Sequence, residues 1–469
     1  MPKIILYNPS AVFYDMPLAL LAIGTPLDKD YDVVIIDARV EDNVEELLRR
    51  NIEDALLVGV TSLTGAPLKD AIWFSNKVKE LKPETPVVWG GWHTSLFPEQ
   101  VLQDVEAVDI SVQGQGEESF QEIVQAIDQN TSLEAIRGIV YRDESGNLVK
   151  TPPRVMTDMN SFGRLNYDLI DVEKYFKAKG KRQFDFITST GCFFRCTFCA
   201  DPFVFDRKFT SLNPERVFED LYFYHQKYGF DDVNFQDETF FTYPKKILIL
   251  ARKLKELGTP FSWAATMRAD QGNRMTLEDF RLCKEGGLRR LLIGVESGSQ
   301  EMMDWLKKDI KMEHVLECAD RCHSLGINVI FPFIVGFPGE SEKSVKSTKT
   351  LIQYLALKSK GFETPVFYFK PYPGTQITKE VVENGSYTLP TTIEEWSQFD
   401  YIGSKGPWVS DDLYNEMEAL KFYLRSRRQN HLILRPLRWI SNYRVKKMNF
   451  RMPIEKVIIE RLKPQKELS

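Results

Sequence analysis

Short apolar runs alternate with helical patterns along most of this chain, and no other feature limits its fold as much. Through residues 1–130 the runs are KIILYNP (3–9), DVVIIDA (32–38), LLVGVTS (56–62), TPVVWGG (85–91) and VDISVQGQG (108–116). Segments with helical periodicity separate them, for example Pro67 to Leu81. Strands alternating with helices imply a doubly wound parallel sheet, and near-continuous apolar strands fit burial on both faces. Ligands bind such sheets at the carboxyl ends of the strands. Asn8-Pro9, Thr61-Ser62, Gly90-Gly91 and Gly114-Gln115-Gly116 fall there.

Residues 136–150 read as a hairpin, and 151–183, with several Asp and Asn and little period, as a linker. From 184 to 371 the strand–helix theme repeats. The predicted strands are 184–190, 232–238, 261–268, 289–297, 328–336 and 364–371. Six units are too few for the usual eightfold closed barrel, so a partial (β/α)6 barrel is expected, with its site at the strand C-termini. The expected organisation is α/β: a Rossmann-like domain over 1–135, hairpin and linker over 136–183, partial barrel over 184–371, and a small helical C-terminal region over 372–469.

Composition removes several function classes. The 469 residues hold 61 Lys plus Arg and 66 Asp plus Glu, a net charge of −5, with 43% hydrophobic residues. That is ordinary globular composition. No run approaches the ~18 apolar residues of a membrane span, and MPKIILYNPS reads directly into a strand rather than an export signal. A cytoplasmic protein with reduced thiols is therefore expected. Charge is uneven: residues 425–463 carry +10 and the remainder −15. Apolar residues, among them Leu432, Ile433, Leu437 and Trp439, interleave with those cations, so the stretch reads as a solvated helix, a patch for an anionic substrate or a peripheral membrane contact. No nucleic-acid recognition motif accompanies it.

Three of the six cysteines fall within eight residues, as Cys192-Phe-Phe-Arg-Cys196-Thr-Phe-Cys199, just after the first predicted barrel strand. Soft thiolates select zinc or iron–sulfur clusters. A structural zinc site usually takes four protein ligands, and no fourth cysteine or histidine lies nearby. Three thiolates with one open position fit a 4Fe-4S cluster whose fourth iron binds something other than protein. The remaining cysteines, Cys283, Cys318 and Cys322, read as buried small hydrophobes. Cys318 and Cys322 share one helix face and leave an auxiliary cluster as the alternative.

With Phe198 before its last cysteine, this spacing resembles the radical S-adenosylmethionine superfamily over 184–371. The resemblance implies that the open iron binds the amino and carboxylate groups of S-adenosylmethionine. Reductive cleavage then gives a 5′-deoxyadenosyl radical that abstracts hydrogen. It also implies a flavodoxin- or ferredoxin-type reductant, and an adenine environment that includes Phe198. At the other strand ends it points to Asp237 and Glu238, although the Gly-Gly-Glu segment common there is absent. It points further to Arg268, to Glu296 and Ser297 within Gly294-Val-Glu-Ser-Gly298, and to the Gly336–Glu340 turn, whose amides could face the adenosine.

The two domains together resemble cobalamin-dependent radical S-adenosylmethionine proteins. Thr61, Ser62, Gly90, Gly91 and Gly114 carry that likeness, since glycines at strand ends let backbone approach a bulky nucleotide tail. No Gly-x-Gly-x-x-Gly follows the first strand. The Asp-x-His-x-x-Gly segment of methionine synthase-like domains is also missing. Its nearest match, Asp37-Ala-Arg-Val-Glu41, has no histidine. His93 is the domain's single histidine, and a loop or capping role competes with contact to the corrinoid. The resemblance implies methylation of an unactivated carbon of a small or lipid-like molecule. A cyclase or rearrangement enzyme with the same cofactors is the second reading, and a non-catalytic iron–sulfur or corrinoid protein the third.

Overall fold

A computed structural model describes residues 1–399, 405–429 and 434–462. The chain divides into two compact units, Met1–Ala265 with Pro371–Tyr401 and Thr266–Lys370 with Ile402–Ser469.

The first unit is built on a seven-stranded sheet of β1 (Lys3–Asn8), β2 (Asp32–Asp37), β3 (Ala55–Ser62), β4 (Val87–Gly91), β5 (Ile110–Val112), β6 (Ile139–Arg142) and β7 (Leu148–Lys150), in the order β2-β1-β3-β4-β5-β6-β7. The first five strands run parallel, and the hairpin β6–β7 adds antiparallel at the β5 edge. Alternation along β1 shows why both faces are covered. Ile4 and Leu6 enter one buried cluster with Leu57, Val88 and Phe120. Ile5 and Tyr7 enter another with Val58, Val60, Phe74 and Trp89. Tyr7 stacks on Phe74 with centroids 3.6 Å apart, a pairing that contributes about 1 kcal/mol beyond area burial. The strand order reverses beside β1, so the flanking helices leave to opposite faces and a crevice opens at the carboxyl edge.

Further strands of this unit are β8 (Gln183–Phe186), β9 (Ser189–Gly191), β10 (Phe209–Ser211), β11 (Asp232–Phe235) and the start of β12 (Ser262–Arg268). β11 pairs in parallel with β8 and β12. In the second unit lie β13 (Leu288–Gly294), β14 (Asn328–Ile330), β15 (Phe333–Val335), β16 (Phe362–Glu363) and β17 (Val366–Tyr368). There β14 pairs in parallel with β13 and β16, and β15 with β17.

Residues 151–183 hold more structure than a linker. Two short 3-10 turns, Met159–Ser161 and Tyr167–Leu169, precede the helix Val172–Lys179. The Asp and Asn residues that read as loop composition are caps. Asp158, Asn166 and Asp171 each accept a backbone N–H two residues on.

The C-terminal helices are Asp411–Ser426, Arg435–Lys447 and Ile454–Leu462. Part of the basic stretch, including Leu432, Ile433 and Lys463, lies outside the described residues. Among the described residues no helix is long and apolar enough to cross a membrane.

Candidate active site

The cysteine loop is closed at its base. β9 and β10 pair antiparallel, Gly191 opposite Phe209, so residues 192–208 leave and return at one point. Gly191 sits at φ +84°, and a Cβ there would lie 2.3 Å from the Lys208 carbonyl oxygen. Only glycine lets the two strands meet immediately before Cys192. Arg207 donates to the Phe193 carbonyl, and the Cys199 amide to the Cys196 carbonyl at 3.3 Å, which fixes the loop's course.

Cys196 is buried, and Cys192 and Cys199 are half-buried. Burial pushes the Cys199 thiol well up, and Asp201, Cys196 and Cys192 push the same way. A thiol held protonated in this way becomes a thiolate when a cationic metal centre takes it. Among the described residues no three His, Cys, Asp or Glu side chains converge on a point that one ion could occupy. A cubane spreads its three thiolates over three irons. The donor set fits such a cluster.

A cavity of about 610 Å³ lies at the carboxyl edge of the seven-stranded sheet. Thr61, Gly90, Gly91 and Gly114 line one wall. Ile187 and Thr190, before the cysteine loop, and Val204 and Phe205, within it, line another. Gly91 has φ +99°, and a Cβ would lie 2.7 Å from the Ser62 carbonyl oxygen, so the backbone turns tightly there. Gly90 is different: a Cβ would meet only Val112, at 4.0 Å. Ser62 does not line the cavity. It is buried, donates to the Gly90 carbonyl at 2.9 Å and bonds the Thr94 hydroxyl at 2.6 Å, holding β3 to the turn after β4.

His93 also faces away from the cavity. Its Nδ1 meets the Thr64 hydroxyl at 3.0 Å, its ring packs against Phe97 and Trp396, and burial pulls it down to about 4. It is a neutral core histidine. None of the described lining residues is a histidine, while the glycine-edged space suits a bulky corrinoid.

The two carboxylates after β11 have separate fates. Asp237 is buried and accepts from the Thr188 amide at 3.2 Å, the Thr188 hydroxyl at 2.7 Å and the Ser189 hydroxyl. It fastens the segment entering the cysteine loop. Glu238 lines the cavity, and its Oε2 is buried with no hydrogen-bond partner. A buried carboxylate oxygen left unpaired is costly, and here it faces space that a ligand can fill.

In the second unit, Arg268 donates to Asp270 at 2.9 Å and to the Lys308 carbonyl. Lys308 pairs with Glu296 at 2.6 Å, both ends nearly buried. Glu296 adopts φ +65°, a conformation that non-glycine residues hold only when their surroundings impose it. Ser297 is buried against the Thr348 hydroxyl at 3.2 Å and accepts the Ser299 amide, so it braces the strand end. The amides of Gly336 and Phe337 are already taken by Glu340, which fills the anion position expected for a ligand at that turn.

Cys283, Cys318 and Cys322 are buried. The Cys318 thiol meets the Ala269 carbonyl at 3.4 Å, and burial pushes Cys283 and Cys318 up to about 12. Sequence reasoning missed Lys308 and the cavity wall from Met159 to Leu165, along with Arg216 and Asp220. Arg164 and Asp220 of that wall are ion-paired at 2.6 Å. The only signal was a cluster of capping residues near Met159 and Phe162.

Residues 186–352 match the family model of the Radical SAM superfamily, and residues 3–124 that of the B12 binding domain. A protein of Pyrococcus horikoshii, named as an uncharacterized methyltransferase, is 28% identical over 416 residues, 87% of this chain and 88% of its own length. The cytidylyl-2-hydroxyethylphosphonate methyltransferase of Streptomyces wedmorensis is 25% identical over 444 residues, 82% of each chain. Among solved structures, the radical S-adenosylmethionine methyltransferase TsrM from Kitasatospora setae, with cobalamin and a 4Fe-4S cluster bound, matches with a TM-score of 0.70 and 20% identity. The match covers 83% of this chain and 76% of that one. At that identity the likeness speaks for the fold.

Proposed function

This chain belongs to the cobalamin-binding radical S-adenosylmethionine proteins, and from that footing we propose that it methylates an unactivated carbon of a small or lipid-like molecule. Membership brings three cofactors, a 4Fe-4S cluster, S-adenosylmethionine and cobalamin. Bound, they supply one-electron cleavage of a sulfonium and a carrier for a methyl group. One observation carries the reading: the glycine-lined edge of the B12-matching sheet and the cysteine loop with the residues entering it wall the same cavity. Its lining includes Leu20, Ile23, Val60 and Phe120, apolar groups that would pack against the corrinoid ring.

Cys192, Cys196 and Cys199 would hold three irons, and Phe198 would border the adenine. Thr61, Gly90, Gly91 and Gly114 would admit the corrinoid, with Ser62 holding their geometry. Glu238 would accept a hydrogen bond from the iron-bound amino group of S-adenosylmethionine, while Asp237 keeps the loop in place. Within the second unit, Arg268 holds the Lys308 carbonyl, Lys308 orients Glu296 and Ser297 braces its turn.

The test is isotopic. Full-length protein is reconstituted anaerobically with iron, sulfide and hydroxocobalamin, then given S-adenosylmethionine with a deuterated methyl and a flavodoxin-type reductant. Label is expected on the extracted corrinoid and, with a cell extract as substrate source, on a product heavier by one labelled methyl. Release of 5′-deoxyadenosine with label on neither would refute methyl transfer and favour cyclisation or rearrangement.

Glu238 adds a pH signature. Burial, then the nearby Asp201, pushes it up to about 8. An unfolded chain loses that proton near its ordinary value of about 4.3. The folded, cofactor-free protein therefore binds one more proton between those values, and its stability falls as pH rises through them. Glu238→Gln removes this loss. The cofactor-free variant is expected to melt with wild type near pH 4.5 and several degrees above it near pH 8, and the cluster-loaded variant to bind S-adenosylmethionine at least about tenfold more weakly than cluster-loaded wild type. A constant difference in melting temperature across that range contradicts the assignment.

A further inference from the structure

The C-terminal helices expose aromatic and aliphatic side chains among cations, which chemistry in the cavity does not require. Along Arg435–Lys447, Ser441 and Val445 are buried. Arg435, Trp439, Tyr443 and Lys447 are exposed and recur every four residues, so they form one stripe. Trp439 is 72% exposed, and its ring stacks on that of Tyr443 at 6.3 Å. The helix Ile454–Leu462 turns Ile454, Val457 and Ile458 outward, and Met452 before it is 76% exposed. Arg444 pairs with Glu455 at 2.9 Å and ties the two helices together.

Arg435, Arg438, Lys446, Lys447 and Arg451 make no salt bridge among the described residues. They belong to the +10 stretch of a chain whose remainder is −15. An anionic partner would pair with them. A nucleic acid would take the cations but leave Met452, Ile454, Val457 and Ile458 facing water. An anionic bilayer takes both, with phosphates against the cations, rings at headgroup level and aliphatic groups at the acyl boundary.

We infer that this face docks the enzyme on an anionic bilayer surface. The inference rests on the C-terminal helices alone and stands or falls apart from methyl transfer.

Flotation of the full-length protein with vesicles tests it, comparing phosphatidylcholine containing about one-third phosphatidylglycerol with phosphatidylcholine alone. Binding is expected to the anionic vesicles and to weaken as salt rises from about 0.1 M to about 1 M. The pair Trp439→Ser with Tyr443→Ser, and separately Lys446→Gln with Lys447→Gln, should each weaken binding roughly tenfold or more and leave iron and corrinoid uptake unchanged. No flotation with anionic vesicles would overturn the proposal. So would flotation that ignores the aromatic pair, or tighter binding to duplex DNA than to these vesicles at equal salt.

Discussion

Cys196→Ala is expected to leave the reconstituted protein short of the about four irons of a cubane and to drop its release of 5′-deoxyadenosine to background. The effect should be near complete, because the loop offers no replacement. Phe193, Phe194, Arg195, Thr197 and Phe198, the residues between the cysteines, bring no soft ligand. Gly191 and the β9–β10 pairing hold the loop's base, so a distant residue cannot be drawn in without unpicking it. Cys322→Ala is the control: its thiol is buried, and removing it should cost stability while sparing iron. Full iron content in the Cys196 variant would contradict the loop's assignment.

Gly90→Leu is expected to cut corrinoid uptake by tenfold or more, a loss of about 1.4 kcal/mol at least, with iron content intact. The backbone accepts the new side chain, since a Cβ at Gly90 meets only Val112 at 4.0 Å, and the branch then projects into the cavity that Gly90 lines. The neighbouring Gly91 would not make a clean experiment. There a Cβ would press on the Ser62 carbonyl at 2.7 Å and strain a left-handed backbone, so lost binding would be confounded with lost fold. Cobalt titration of the Gly90 variant separates cavity filling from misfolding. Undiminished uptake would place the corrinoid elsewhere.

The legible parts of this molecule are those with a local rule. Alternating apolar runs named β1–β5 because each strand buries both faces, as Ile4 with Leu6 and Ile5 with Tyr7 show. Cysteine spacing was readable because ligation demands a fixed residue type within one loop. Other features depend on contacts made across long stretches of chain. Asp237 and Glu238 are adjacent and alike in chemistry, yet Thr188 and Ser189 occupy one, while the other faces the cavity. Ser62 sat correctly at a strand end, but its hydroxyl turned to Gly90 and Thr94 instead of the cavity. Lys308 carries no motif. Its pairing with Glu296 arises because the chain after β13 folds back, a long-range event without a short sequence signal. The stretch 151–183 was hidden for a different reason, since capping residues and loop residues are the same amino acids.

Anaerobic reconstitution of the wild-type chain with iron, sulfide and hydroxocobalamin, followed by metal analysis of the desalted protein, tests the central claim most directly. The account predicts about four iron and about one cobalt per chain, both retained together. Iron without cobalt would contradict it, leaving the glycine-edged cavity without the ligand assigned to it.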